Sequence, residues 1–191
     1  MTYSINKFAA IGALSAILLA GVAPTAFAEM ASDPMVGGAA MYPSKTIVQN
    51  AMNSKDHTTL VAAVKAAGLV DTLSGGGPFT VFAPTNQAFA MLPSGTVDSL
   101  LQPNNKATLV KVLTYHVVAG RYSAQDLMKM IKDGGGKATL RTVQGEPLTV
   151  TQNGMHLDVT DTKGDVAQVT IANVFQSNGV IHVVNKVLMP S

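Results

Sequence analysis

The stretch Phe79-Thr80-Val81-Phe82-Ala83-Pro84-Thr85-Asn86-Gln87-Ala88-Phe89 decides the fold. Its first half is aromatic and apolar, and it predicts a short strand with Phe79, Val81 and Ala83 on one face and Thr80 and Phe82 on the other. Pro84 donates no ladder hydrogen bond and restricts the backbone of Ala83, so the strand ends there. Thr85 or Asn86 then supplies a side-chain oxygen to the free amides of a helix running through Phe89 to Leu92. Ala88 and Phe89 turn apolar surface back to the core. A strand, a proline stop and a capped helix in one segment serve packing, and no reaction chemistry is needed to explain them.

A second stretch, Asn178-Gly179-Val180-Ile181-His182-Val183-Val184-Asn185-Lys186-Val187-Leu188-Met189-Pro190, follows the same logic. Asn178-Gly179 turns the chain, Ile181, Val183 and Val187 pack, and Pro190 closes the segment. Val180 to Leu188 is apolar on both faces, as in a strand covered from two sides. His182 and Asn185 are the polar exceptions, bonded to backbone or placed at a sheet edge. Between the two stretches lies Thr114-Tyr115-His116-Val117-Val118, a Tyr-His pair at a helix-to-strand junction.

These three marks, in this order, resemble those of the fasciclin (FAS1) domain family, in its single-domain exported bacterial form. The resemblance covers residues 44–191. It implies an α+β fold, a β-wedge or sandwich of about seven strands with several helices packed against it. The matching positions are Thr80, Phe82, Ala83, Pro84, Thr85, Asn86, Phe89, Tyr115, His116, Asn178, Gly179, Ile181, His182, Asn185, Leu188 and Pro190. The resemblance gives them architectural parts, with His116 a buried hydrogen-bonding residue and not a catalyst.

The periodicity of the rest agrees with an α+β order. Ser44 to Met52 reads as a short helix capped by Ser44. Leu60, Val64 and Ala67 recur at helical spacing before Gly68, a left-handed cap. Asn105 to Thr114 reads as a helix, and Ser123, with Asp126 three residues on, begins another whose stripe is Leu127, Met130 and Ile131. From Ala138 the period becomes two, with turn signals at Asn153-Gly154 and Lys163-Gly164, so antiparallel strands follow the helices.

The N-terminus is expected to lie outside this fold. Lys7, the apolar run Phe8 to Ala23 and Ala26-Phe27-Ala28 make residues 1–28 a secretory signal peptide, shorter than a membrane span. Residues 29–43 read as a flexible leader because of Pro34, Gly37-Gly38 and Pro43. Without Lys7, 12 basic residues face 11 acidic ones. Localisation is then periplasmic or extracellular, with no membrane span left after cleavage.

Composition narrows the function. Of 191 residues, 47% are apolar and only 13% charged, with a net charge of +2 and scattered basic residues, which excludes a phosphate-binding stripe and hence nucleic acid. The absence of cysteine removes disulfides, thiolate metal sites and a cysteine nucleophile. His57, His116, His156 and His182 lack metal-ligand spacing, and no cofactor is expected. His156 and Asp158 share one strand face, which a solvated surface explains better than an ion. Met30, Met35 and Met41 have the softness for Cu(I) but no histidine or acidic partner. Lys163-Gly164-Asp165 resembles an adhesive tripeptide but is also plain turn chemistry. No Gly-x-Ser-x-Gly elbow, phosphate loop or calcium loop is present, and no nucleophile, base and orienting group assemble, so the chain is expected not to be an enzyme. The expected role is an exported, non-catalytic module for cell adhesion or matrix interaction, with a protein or polysaccharide partner. The alternative is a carrier of a lipophilic pigment or lipid in an apolar groove.

Overall fold

A computed structural model describes residues 33–191. The expected signal peptide, residues 1–28, lies outside them. The elements run β1 (Met35–Val36), β2 (Ala39–Ala40), α1 (Ile47–Ala51), α2 (Thr58–Ala67), α3 (Val70–Ser74), β3 (Phe79–Pro84), α4 (Asn86–Ala90), α5 (Thr96–Leu100), α6 (Lys106–Tyr115), β4 (Val117–Ala119) and α7 (Ala124–Asp133). The strands β5 (Lys137–Arg141), β6 (Pro147–Asn153), β7 (His156–Thr160), β8 (Val166–Gln176) and β9 (Gly179–Val184) complete the chain. Seven strands form one sheet in the order β4-β3-β9-β8-β7-β6-β5. Its two ends approach each other through a bridge between Val118 and Thr142 and a bond from Val143 N–H to the Val117 carbonyl. The result is a nearly closed, barrel-like wedge, the expected α+β architecture.

The pairing of β3 with β9 is parallel, from Phe79 opposite Gly179 to Pro84 opposite Val184, and every other pairing in this sheet is antiparallel. The two signature stretches are therefore neighbours in the sheet interior. Alternation along β3 then builds two cores. Val81 and Ala83 pack with α1, α2, α6, Val174 and Ile181 on one face. Phe82 packs with Tyr115, Leu127, Leu148, Val150, Val159, Val184 and Leu188 inside the wedge. Burying such a side chain contributes about 1.5–3 kcal/mol, and with no cysteine these two cores carry the domain.

Residues 35–40, expected within a flexible leader, form the small β1–β2 hairpin. Val36 and Met41 are buried in the first core, and Gly37 lies against Ser54 and the Asp56 amide so closely that a Cβ would overlap them. The glycines that looked like linker chemistry instead serve a tight turn with φ of 59° and 75°. The cap of α1 is Thr46, not Ser44: Thr46 Oγ1 accepts from Gln49 N–H and Gln49 Oε1 accepts from Thr46 N–H, a reciprocal box. The apolar run expected as a strand through Leu188 pairs only to Val184. There Asn185 exchanges two bonds with the Gln168 main chain, and the last residues turn to other partners.

The long strand β8 is irregular at two places against β9, and Asn173 sits there at φ 61°, a conformation asparagine tolerates. Its Oδ1 accepts from Ala124 N–H at 2.7 Å, so the bulge caps α7 from outside. Ser123 caps the same end, accepting from Asp126 N–H while Asp126 accepts from Ser123 N–H. The hydroxyl and amide of Ser123 also hold the exposed Asp126 carboxyl below its ordinary pKa. Ser123→Ala is expected to lower stability by about 1 kcal/mol, read by urea titration. Asn173 leaves the helix end partly satisfied in that variant.

Candidate functional site

The polar signature residues lie at seams between elements. Thr80 Oγ1 donates to the Gly120 carbonyl at 2.7 Å and accepts from Tyr122 N–H at 2.9 Å, holding the turn after β4. His182, on the neighbouring strand, is fully buried. Its Nε2 lies 2.9 Å from the Tyr122 carbonyl, its Nδ1 accepts from Asn173 N–H, and its ring stacks on Phe82 with centroids 5.7 Å apart. One imidazole thus joins β9, the β8 bulge and the segment entering α7.

The Tyr-His pair divides its work. Tyr115 OH donates to the Pro147 carbonyl at 2.9 Å and accepts from Thr162 N–H at 3.1 Å, and burial pushes its phenol up. His116 is enclosed, with Nδ1 2.8 Å from the Val112 carbonyl and Nε2 accepting from Leu188 N–H at 3.0 Å. That pair of partners selects the neutral Nδ1–H tautomer, because a proton on Nε2 would face another donor. Burial outweighs the opposing influence of the Val112 carbonyl and Asp161 and lowers its pKa to about 4.

Asp161 escaped sequence reasoning. It is buried, Oδ1 accepts from Lys163 and Asp165 N–H, and Oδ2 accepts from Met189 N–H. The Asp161-Thr-Lys-Gly-Asp165 pattern is an aspartate-led turn signal, but its link to the C-terminal segment depends on tertiary structure. The same turn contains Lys163-Gly164-Asp165. Asp165 pairs with Lys186 at 2.7 Å and Gly164 has φ +87°, so the tripeptide's acidic member is engaged within the fold.

The asparagines pin loops. Asn178 Oδ1 accepts from Ile47 N–H, and its amide donates to the carbonyls of Leu73 and Gly75. Asn86 Oδ1 accepts from Thr59 N–H and from the Thr58 hydroxyl, and its amide donates to the Lys55 carbonyl. Thr85 Oγ1 accepts from Ala88 N–H, so of the two candidates Thr85 caps α4 and Asn86 ties α4 to the start of α2. Ala83, Pro84, Phe89, Ile181, Leu188 and Pro190 are buried.

An enclosed apolar cavity of about 50 Å³ lies between β3, β9 and the helices, lined by residues such as Val36, Ile47, Leu60, Val64, Val81 and Ile181. His57 borders it. Ser54 Oγ lies 2.8 Å from His57 Nδ1, and the buried Nε2 has no hydrogen-bond partner among the described residues. Ligand pockets start at about 300 Å³, so this space does not house a pigment or lipid in the conformation seen. His156 is exposed, while Asp158 accepts from Asn153. Met41 is buried and Met35 faces solvent. Among the described residues no group of three or more His, Asp or Glu is placed to hold an ion, and no helix is long and apolar enough to cross a membrane.

The sequence model of the Fasciclin domain matches residues 55–190. The chain is 44% identical to Protein sll1483 of Synechocystis over 189 residues, covering 96% of both. It is 34% identical to Immunogenic protein MPB70 of Mycobacterium bovis, covering 99% of this chain and 96% of that one. It is 36% identical to pig transforming growth factor-beta-induced protein ig-h3, covering 78% of this chain but 20% of that protein. Among solved structures, a FAS1 domain pair from the insect cell adhesion molecule fasciclin I superposes with a TM-score of 0.69 at 19% identity, covering 77% of this chain and 51% of that one. That last likeness bears on fold alone.

Proposed function

The chain belongs to the fasciclin domain family, and from that premise we propose that it is an exported, non-catalytic binding module acting at a cell surface or in a matrix. The observation that carries this reading is where its polar residues point. Thr80, Tyr115, His116, Asp161, Asn178 and His182 are all committed to internal hydrogen bonds. Among the described residues no nucleophile stands beside a base and an orienting group facing solvent, which is the arrangement covalent or acid–base catalysis requires. The interior therefore sets shape, and recognition belongs to the loops and the surface.

Relatives support the setting. One is a cell surface glycolipoprotein, MPB83 of Mycobacterium bovis, 35% identical over 167 residues. The reading of residues 1–28 as an export signal supports residence of the module in the periplasm or outside the cell. Its partner is a protein or polysaccharide of that compartment. The test is retention of the purified chain on isolated cell-surface and matrix fractions. Saturable binding is expected. A folded protein that washes through every fraction overturns the reading.

A further inference from the structure

We propose that the open groove between the Gly76–Pro78 loop and the turn joining β8 to β9 binds the carboxylates of an acidic polysaccharide, with Arg121 as the anchoring cation. This deepens the reading above by naming the partner class. The groove is an open concavity of about 580 Å³ lined by Gly76, Gly77, Pro78, Arg121, Ser177 and Asn178. It lies at the end of the sheet where β3 and β9 begin.

The chemistry of the lining is one-sided. Arg121 Nη2 donates to the carbonyls of Gln176 and Ser177 at 3.0 and 3.1 Å, which fixes the guanidinium plane. A guanidinium has five N–H donors in a planar fork, and the remaining ones meet no carboxylate among the described residues. The N–H groups of Gly76 and Asn178 and the Ser177 hydroxyl likewise donate to nothing described. A guanidinium held through Nη2 keeps its Nε and Nη1 donors for an anionic oxygen, a charge-assisted contact. The neighbouring amides and hydroxyl complete a donor set suited to carboxylate and sugar oxygens.

The walls are rigid before any ligand arrives. Asn178 ties the turn to Leu73, Gly75 and Ile47, and its carbonyl accepts from Phe79 N–H. Gly77 sits so close to the Asn178 carbonyl that a Cβ would lie 2.1 Å away, so the two loops meet only because no side chain intervenes. Preorganisation of this kind lowers the ordering cost of binding. Ser177 N–H donates to the Lys45 carbonyl, and the Lys45 ammonium stands 4.9 Å over the Tyr42 ring, which is 43% exposed. Phe175, two residues before Ser177, is 38% exposed. Beyond the lining, the neighbouring chain carries this cation and the two exposed aromatic rings. The donors offered are main-chain amides and a short hydroxyl beside one guanidinium, a set that suits the ring hydroxyls and spaced carboxylates of a uronate chain, with an acidic peptide as the competing occupant in the test.

The test uses the purified chain and titrates oligogalacturonate against a neutral galactan oligomer of equal length and against oligoglutamate, followed by amide shifts in NMR. Oligogalacturonate is expected to perturb Gly76, Arg121 and Ser177, to weaken as salt rises, and to bind at least about tenfold more weakly to Arg121→Gln, a loss on the scale of one charge-assisted hydrogen bond. Arg121→Lys should recover part of it. Ser177→Ala, at an exposed hydroxyl with no internal bond, checks the site without touching the fold and should weaken binding a few fold. Equal binding of the neutral oligomer, preference for oligoglutamate, or unchanged binding by a folded Arg121→Gln chain overturns the proposal. If Arg121→Gln still adheres to surface fractions as wild type does, this site fails while the module reading stands. If the wild type adheres to none, that reading itself fails.

Discussion

Acidification between pH 6.5 and about 4 is expected to remove about 3 kcal/mol of folding stability through His116 alone, the free-energy equivalent of its lowered pKa. In the folded chain His116 is neutral, held so by burial and by the Leu188 N–H directed at its Nε2. In the unfolded chain it takes up a proton as the pH falls below 6.5. The unfolded state then binds more protons, so unfolding becomes easier as pH falls. The contribution is fully present above 6.5 and lost on approach to about 4. Burial also pushes His57 and His182 down, so both act in the same direction. A domain of this kind has about 5–15 kcal/mol in total, so the loss is a large share. Urea titrations at pH 7, 5 and 4 read it directly. His116→Gln should start less stable and show a shallower pH dependence over this window. Parallel pH profiles for wild type and variant would show that the histidine does not titrate as described.

Gly179→Ala is expected to destabilise the domain by about 3 kcal/mol or more, the upper end of overpacking in a tight core. A Cβ there would lie 2.2 Å from the Phe79 carbonyl oxygen and 2.8 Å from Ile47 Cδ1. The oxygen belongs to the first rung of the parallel β3–β9 pair, so relief requires the two central strands to separate. Gly76→Ala is the control: open space surrounds that position, its φ is not positive, and its stability should stay within about 0.5 kcal/mol of wild type. Similar midpoints for the two variants in thermal unfolding would contradict this account of the strand junction.

Much of the fold was legible because it is encoded locally. Thr85, Ser123 and Gly68 announce helix ends by chemistry that acts within four residues, and the alternation of β6 and β7 gives away their burial. Helices α3 and α5 were not read: like α1 and α4 they have five residues, too few to display a helical period, but no side-chain cap announces them. The β1–β2 hairpin looked like linker because what holds it is tertiary: Val36 and Met41 buried in the first core and the Lys55 N–H bonded to the Gly37 carbonyl. The parallel partnership of β3 and β9 joins segments separated by most of the domain, and no residue in either names the other. For the candidate groove the position is similar. Arg121 is an ordinary surface arginine in sequence, and only the meeting of two loops around it gives it a site. Asp161 shows only turn chemistry in sequence, whereas its three bonds to amides make it a structural hub.

The seam where the sheet nearly closes limits how partners can attach. An uncovered strand offers its unpaired amides and carbonyls to any extended peptide, a common route both to recognition and to fibre growth. Here the outer edge of β4 is engaged at Val117 and Val118 by the chain just past β5. The remaining length of β5 turns Lys137 and Arg141 outward, cations that discourage another strand from docking alongside. Engagement by backbone zippering is thereby closed off, and a ligand must be gripped by side chains and turns at the rim.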